Sequence, residues 1–201
     1  MTYRTGDPLV SPHSCADFFF DKTDRKGYII IIMKVNAYID AANLHKGVAT
    51  LGWKLDYSRF RIWLKDKYQV ENAYLFIGLI PKLKDLYTFL QEVGYTVAYK
   101  EVSYDGTGKV KGNCDAELVL KVASDYYEKR FDQAILVSSD GDYAGLVKFL
   151  RDRKVFRILI SPNKNCSFLL RKLNVPIVYL DSQRRKLELG PNQKEKAPGR
   201  D

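Results

Sequence analysis

The sequence predicts an α/β fold: a three-layer α/β/α sandwich around a central, mostly parallel sheet. Three observations carry this. Residues 33–181 alternate between short apolar runs of strand character and stretches with apolar residues at helical spacing. Strands that alternate with helices form parallel sheets covered on both faces. The 201 residues are 46% hydrophobic and 28% charged, enough apolar material for one sizeable core. The longest apolar run, Tyr28 to Met33, is far short of the ~18 residues that a membrane-crossing helix needs.

The elements follow in order. Val35 to Ile39 reads as a strand, and Tyr57 to Tyr68 as a helix with Phe60, Trp63 and Leu64 on one face. Ala73 to Leu79 is strand-like, Leu83 to Val93 helical through Leu86, Phe89 and Leu90, and Thr96 to Val102 is rich in β-formers. Ala116 to Lys129 is helical, with a stripe of Leu118, Val119, Val122, Ala123 and Tyr126. Ala134–Val137 is a buried strand, Tyr143–Arg151 a helix and Phe156–Ile160 a strand. A short helix near Ser167–Leu173 then leads through Pro176 to a last strand, Ile177–Leu180.

The ends differ from this middle. Residues 1–32 balance to zero charge and hold no basic segment followed by an apolar stretch, so no secretory signal is read there. They read as an extension upstream of Met33, in which Phe18, Phe19 and Phe20 offer an apolar patch. Residues 182–201 carry +3, are polar and contain Gly190, Pro191, Pro198 and Gly199; they are expected to be a disordered basic tail. Three scattered Cys exclude a disulfide scaffold, and with two His they show no zinc-ligand spacing. A reduced, cytoplasmic setting without membrane attachment is the expectation. The formal charge of +9 points to a polyanionic partner, with nucleic acid foremost.

Against that basic background the carboxylates are placed tellingly. Asp40 directly follows the first strand, in Asp40-Ala41-Ala42-Asn43. Asp140 and Asp142 follow the fourth in Ser138-Ser139-Asp140-Gly141-Asp142. Open parallel sheets form sites outside the carboxyl ends of strands where the strand order reverses. A sheet that starts in the middle and grows first one way and then the other brings its first and fourth strands together there. Asp115 opens the helix that feeds the fourth strand and approaches the same crevice. Three or four carboxylates in one place need compensation, and Mg²⁺ or Mn²⁺ with hard oxygen ligands supplies it. A metal pair can clamp the attacking and leaving oxygens of a phosphodiester. Taken singly, Asp115 and Asp142 read more readily as helix caps than as catalytic groups.

Ala37-Tyr38-Ile39-Asp40-Ala41-Ala42-Asn43-Leu44 resembles the first-strand signature of the NYN domain family, in the LabA-like branch of the PIN-like nucleases. Lys111-Gly112-Asn113-Cys114-Asp115-Ala116-Glu117-Leu118 is similar to that family's Lys-Gly-x-x-Asp helix start. Ile135-Leu136-Val137-Ser138-Ser139-Asp140-Gly141-Asp142-Tyr143 is similar to its Leu-Val-Ser-Gly-Asp-Gly-Asp-Phe turn. Ala41 and Ser139 stand where the family usually has Gly; neither change removes a ligand.

The resemblance implies a PIN-like sandwich and a Mg²⁺- or Mn²⁺-dependent nuclease, an endoribonuclease hydrolysing RNA phosphodiester bonds. It implies catalytic positions at Asp40, Asn43, Asp115, Asp140 and Asp142, the four Asp being metal ligands. Within that reading Asp40 and Asp140, at strand ends with little freedom, are the best candidates for direct ligands, and Asp115 and Asp142 complete the shell directly or through water. RNA is the implied substrate, single-stranded DNA a second polyanion to test, and self-association into a homodimer is compatible with it. A non-catalytic RNA-binding or regulatory protein on the same fold is the alternative. A phosphotransfer enzyme is disfavoured, because no phosphate-binding Gly-x-x-x-x-Gly-Lys loop is present. Lys109, Lys111, Lys164, His45 and Ser138 are the candidate nucleic-acid contacts, each with an ordinary surface or turn role as its competitor. Glu117 lies about 200° around the helix from Asp115 and is expected to face elsewhere. Cys114 is expected to be a small packing residue.

Overall fold

In a computed structural model of the chain, the described residues are 22–23, 29–30, 33–101, 103–104, 106, 110–111 and 114–190. The chain divides into two compact units, Met1–Met33 and Lys34–Asp201. In the first, Lys22–Thr23 pairs antiparallel with Ile29–Ile30. Phe18, Phe19 and Phe20 lie outside the described residues.

The second unit is built on six strands: β1 (Val35–Asp40), β2 (Val70–Leu79), β3 (Thr96–Glu101), β4 (Gln133–Val137), β5 (Phe156–Ser161) and β6 (Ile177–Tyr179). Their order is β6-β5-β4-β1-β2-β3 and every pair is parallel. The sheet therefore starts in the middle, grows to β3, and resumes on the other side of β1 with β4. Ile39 is in register with Val137, so β1 and β4 end side by side.

Helices α1 (Ala41–Ala49), α2 (Tyr57–Tyr68), α3 (Lys84–Glu92), α4 (Asp115–Tyr127), α5 (Ala144–Asp152), α6 (Phe168–Arg171) and α7 (Arg184–Leu187) cover the sheet. Strand side chains alternate between two cores, as a pleat requires. Val35, Ala37, Ile39, Ile135 and Val137 join Leu44, Phe60, Leu64 and Leu90 on one face. Tyr38, Ala134 and Leu136 join Leu118, Val122, Val147 and Leu150 on the other. This is the three-layer α/β/α sandwich expected from the alternation. Among the described residues no helix is long and apolar enough to cross a membrane.

A polar ladder runs through the middle of the second core. Asn72 Nδ2 donates to Asn36 Oδ1 (3.1 Å), and the Tyr38 hydroxyl donates to Asp125 Oδ2 (2.8 Å). Lys121 Nζ lies 2.6 Å from Asp125 Oδ1, and Arg130 Nε 3.7 Å. Asn36 and Asp125 are both fully buried. A buried carboxylate is tolerable only when charged partners and hydrogen bonds replace its water, and Asp125 has both.

Three features depart from the sequence expectation. The segment Ala41–Ala49 is a helix, α1, with Ala41, Leu44 and Val48 facing inward. Gly47 weakens its propensity signal, but a Cβ there would lie 2.5 Å from the Pro162 Cβ, so close packing requires the glycine. On α4, Val119 is 37% exposed and does not join the core stripe.

The third is a correction at the C-terminus. Residues 182–190 are not disordered. Leu187 is fully buried in the first core, and Leu55 forms a β-bridge with Glu188. The Asp56 and Leu189 amides donate to Leu187 and Lys54 carbonyls, both at 2.8 Å. One apolar side chain and these backbone bonds hold a segment that reads as tail by average composition. Residues 191–201 lie outside the described residues.

Candidate metal centre

The carboxyl ends of β1 and β4 create the site. Asp40, the last residue of β1, caps α1: its Oδ1 accepts from the Asn43 amide at 3.0 Å. Asn43 then spans to the neighbouring strand end, its Oδ1 accepting from the Ser139 amide (2.9 Å) and hydroxyl (3.0 Å). Beyond β4, the Ser138 Oγ accepts from the Asp140 amide (3.1 Å), and Asp140 Oδ1 accepts from the Asp142 amide (3.1 Å). The Asp140 side chain is thus oriented by a local backbone bond.

Gly141 lets the turn approach its neighbour closely. A Cβ at this position would lie 2.5 Å from Ser167 Oγ, because the turn packs on the start of α6. The Ser167 amide donates to the Ser139 carbonyl at 3.0 Å, which fixes that contact.

Asp115 arrives from the other side, as the first residue of α4. A carboxylate at a helix N-terminus meets the positive end of the macrodipole. One carboxylate oxygen each of Asp115, Asp140 and Asp142 lies within 4.8 Å of the others. Asp115 and Asp140 are half-buried and Asp142 is exposed, so the cluster opens to solvent. Among the described residues, no lysine or arginine forms an ion pair with Asp140 or Asp142. Three hard oxygen donors converging on one point match the chemistry of a Mg²⁺ or Mn²⁺ ion.

Asp40 lies beside this trio. Burial raises its pKa above the usual carboxylate range, and the charges of Asp115 and Asp140 push the same way, opposed by the Asn43 amide and the Tyr143 hydroxyl. Tyr143 is a site residue that sequence reasoning missed. It is fully buried, and its hydroxyl hydrogen-bonds to Asp115 Oδ1 and reaches Asp40 Oδ2 at 3.3 Å. Burial and these two carboxylates hold that hydroxyl firmly protonated. At the sequence level an aromatic after Asp-Gly-Asp reads as core, and its ring does join the second core.

The remaining candidates separate clearly. Ser138 is fully buried and accepts from a backbone amide, so it serves the turn and offers no surface to nucleic acid. Lys164 is exposed in the loop after β5, and its Nζ lies 3.8 Å from Asp181. His45 is half-buried on α1, five positions beyond Asp40. Lys109 lies outside the described residues; Lys111 is described in its backbone, where Val110–Lys111 pairs with Ser103–Tyr104. Glu117 faces away and pairs with Lys100 at 2.9 Å. Burial first, then the Asp40 charge, pushes the Cys114 thiol up to about 11, so it is no nucleophile at neutral pH.

The sequence model of the NYN domain matches residues 34–174. Among solved structures, the crystal structure of a Vibrio parahaemolyticus protein of unknown function is similar, with a TM-score of 0.64 at 22% identity. The match covers 78% of this chain and 96% of that one, and at this identity it speaks to the fold. No functionally curated protein matches the chain.

Proposed function

The chain belongs to the NYN domain family, and from that premise we propose that it is a Mg²⁺- or Mn²⁺-dependent endoribonuclease hydrolysing RNA phosphodiester bonds. The observation that supports this most is the convergence of Asp115, Asp140 and Asp142 at the mouth between β1 and β4. Such a group is self-repelling, and a bound cation with hard oxygen ligands relieves that repulsion.

Asp115, Asp140 and Asp142 would hold the ion. When bound, it supplies Lewis-acid polarisation of a phosphate oxygen and a more acidic water. Asp40, clasped by the Asn43 amide, backs the trio with a fourth carboxylate. Asn43 fixes the turn that carries Asp140 and Asp142 by holding Ser139. Exposed Lys164, with Lys109, Lys111 and His45, is proposed to meet the phosphates on either side of the scissile bond. A basic surface around an acidic pocket is what a polyanion substrate needs: the lysines attract its backbone and the carboxylates await the ion.

The test uses the purified full chain with labelled RNA and single-stranded DNA, in Mg²⁺, Mn²⁺ or EDTA. Metal-dependent RNA cleavage that EDTA and Asp140→Asn both abolish is the expected result. Salt-sensitive binding with no cleavage overturns the catalytic reading in favour of a regulatory RNA-binding protein. No affinity for either polynucleotide overturns both.

A further inference from the structure

We propose that Tyr143 is a positioning residue whose hydroxyl pins the Asp115 carboxylate to the cation site, an inference that rests on the metal-dependent reading above. The acidic side chains reach the site from three separate elements. Asp40 is oriented by the Asn43 amide and Asp140 by the Asp142 amide, both within their own turns. Asp115 stands at the start of α4, where Cys114 in the capping position makes no side-chain cap bond. Its Oδ1 instead accepts from Tyr143, which belongs to the β4 turn.

Tyr143 is suited to this by its burial. The ring is fully enclosed in the second core, so the hydroxyl has a fixed place. Its single proton meets two carboxylates, and the closer contact is to Asp115. The hydroxyl therefore couples α4 to the turn carrying Asp140 and Asp142, and separates Asp115 from Asp40. With phenylalanine in this place, the same ring would fill the core while Asp115 and Asp40 both lost the hydroxyl they share. Outer partners of this kind orient ligands, and their loss typically lowers metal affinity about 10- to 100-fold.

The test is Tyr143→Phe, which removes one atom and keeps the packed ring. Mn²⁺ alone is titrated into the metal-free full chain by calorimetry, alongside urea unfolding. The expected result is Mn²⁺ affinity weakened about 10- to 100-fold, with the unfolding midpoint of the metal-free protein little changed. In RNA cleavage, the Mn²⁺ concentration for half-maximal rate should rise by a similar factor while kcat at saturating Mn²⁺ is largely kept. Mn²⁺ affinity within twofold of wild type overturns this inference alone. A wild-type chain that binds no Mn²⁺ overturns the metal-dependent reading and this inference with it.

Discussion

The Asn43 side-chain oxygen accepts two hydrogen bonds from Ser139, one from its amide and one from its hydroxyl, across the gap between β1 and β4. This bond joins the two strand ends that carry Asp40 and Asp140. Asn43→Ala leaves the half-buried Ser139 amide without that acceptor, and an unsatisfied buried donor costs about 1–3 kcal/mol. Urea unfolding should show a loss of that size. RNA cleavage should fall further than the stability loss explains, because the Asp140 turn loses its tie.

Asp40 gives a pH prediction. Its pKa is raised in the fold, chiefly by burial, so the folded protein binds that proton more tightly than the unfolded chain does. Its contribution to stability is complete below the ordinary carboxylate range and is lost as pH rises through the raised value. Asp40→Asn keeps an acceptor for the Asn43 amide, since Asn caps helices as well as Asp. The metal-free variant should therefore match or exceed wild-type stability at neutral pH, and the difference should shrink toward about pH 4. Unfolding curves at the two pH values check this; a variant less stable than wild type at neutral pH would refute it.

Metal addition and removal should register in the fold itself. A ligand that binds only the native state at a hundred times its dissociation constant stabilises by about 2.7 kcal/mol. Mn²⁺ is expected to raise the thermal midpoint of the wild-type chain and EDTA to reverse the rise. Asp142→Asn should reduce the effect, and Asp115→Asn combined with Asp140→Asn should abolish it. A rise that persists in the double variant would place the ion elsewhere.

The C-terminal fold-back predicts a cost far from the site. Leu187 is fully buried beside α2, and truncating a buried leucine to alanine typically costs about 2–5 kcal/mol. Leu187→Ala should lower the unfolding midpoint accordingly. It should leave Mn²⁺ affinity unchanged, because α7 contributes no residue to the acidic cluster.

The site's location was legible because it depends on period and order. Alternating strands and helices imply a switch point, and there Asp40 closes its strand while Asp140 falls three residues past the neighbouring one. What stayed hidden depends on single atoms. Tyr143 looks like any core aromatic until its hydroxyl is placed between two carboxylates. Ser138 reads as a turn hydroxyl, and its bond from the Asp140 amide agrees, but its full burial is not visible in the sequence. Helix α1 was obscured by a glycine whose purpose is contact with Pro162, a residue far away in sequence. Leu187 shows the limit of composition: one side chain with a pocket outweighs a polar neighbourhood.

The buried ladder from Asn72 through Asn36 to Tyr38 and Asp125 bears on the cation site without touching it. Apolar strands can slide against one another at modest cost, yet a one-residue slip of β1 would point every side chain to the opposite face. Here such a slip would also part Asn36 from Asn72 and leave Asp125 Oδ2 without the Tyr38 hydroxyl, in surroundings where lost polar partners are costly. The ladder acts as a registration key that admits one alignment of β1. Asp40 is the last residue of that strand, so the key also sets where the first carboxylate of the site stands.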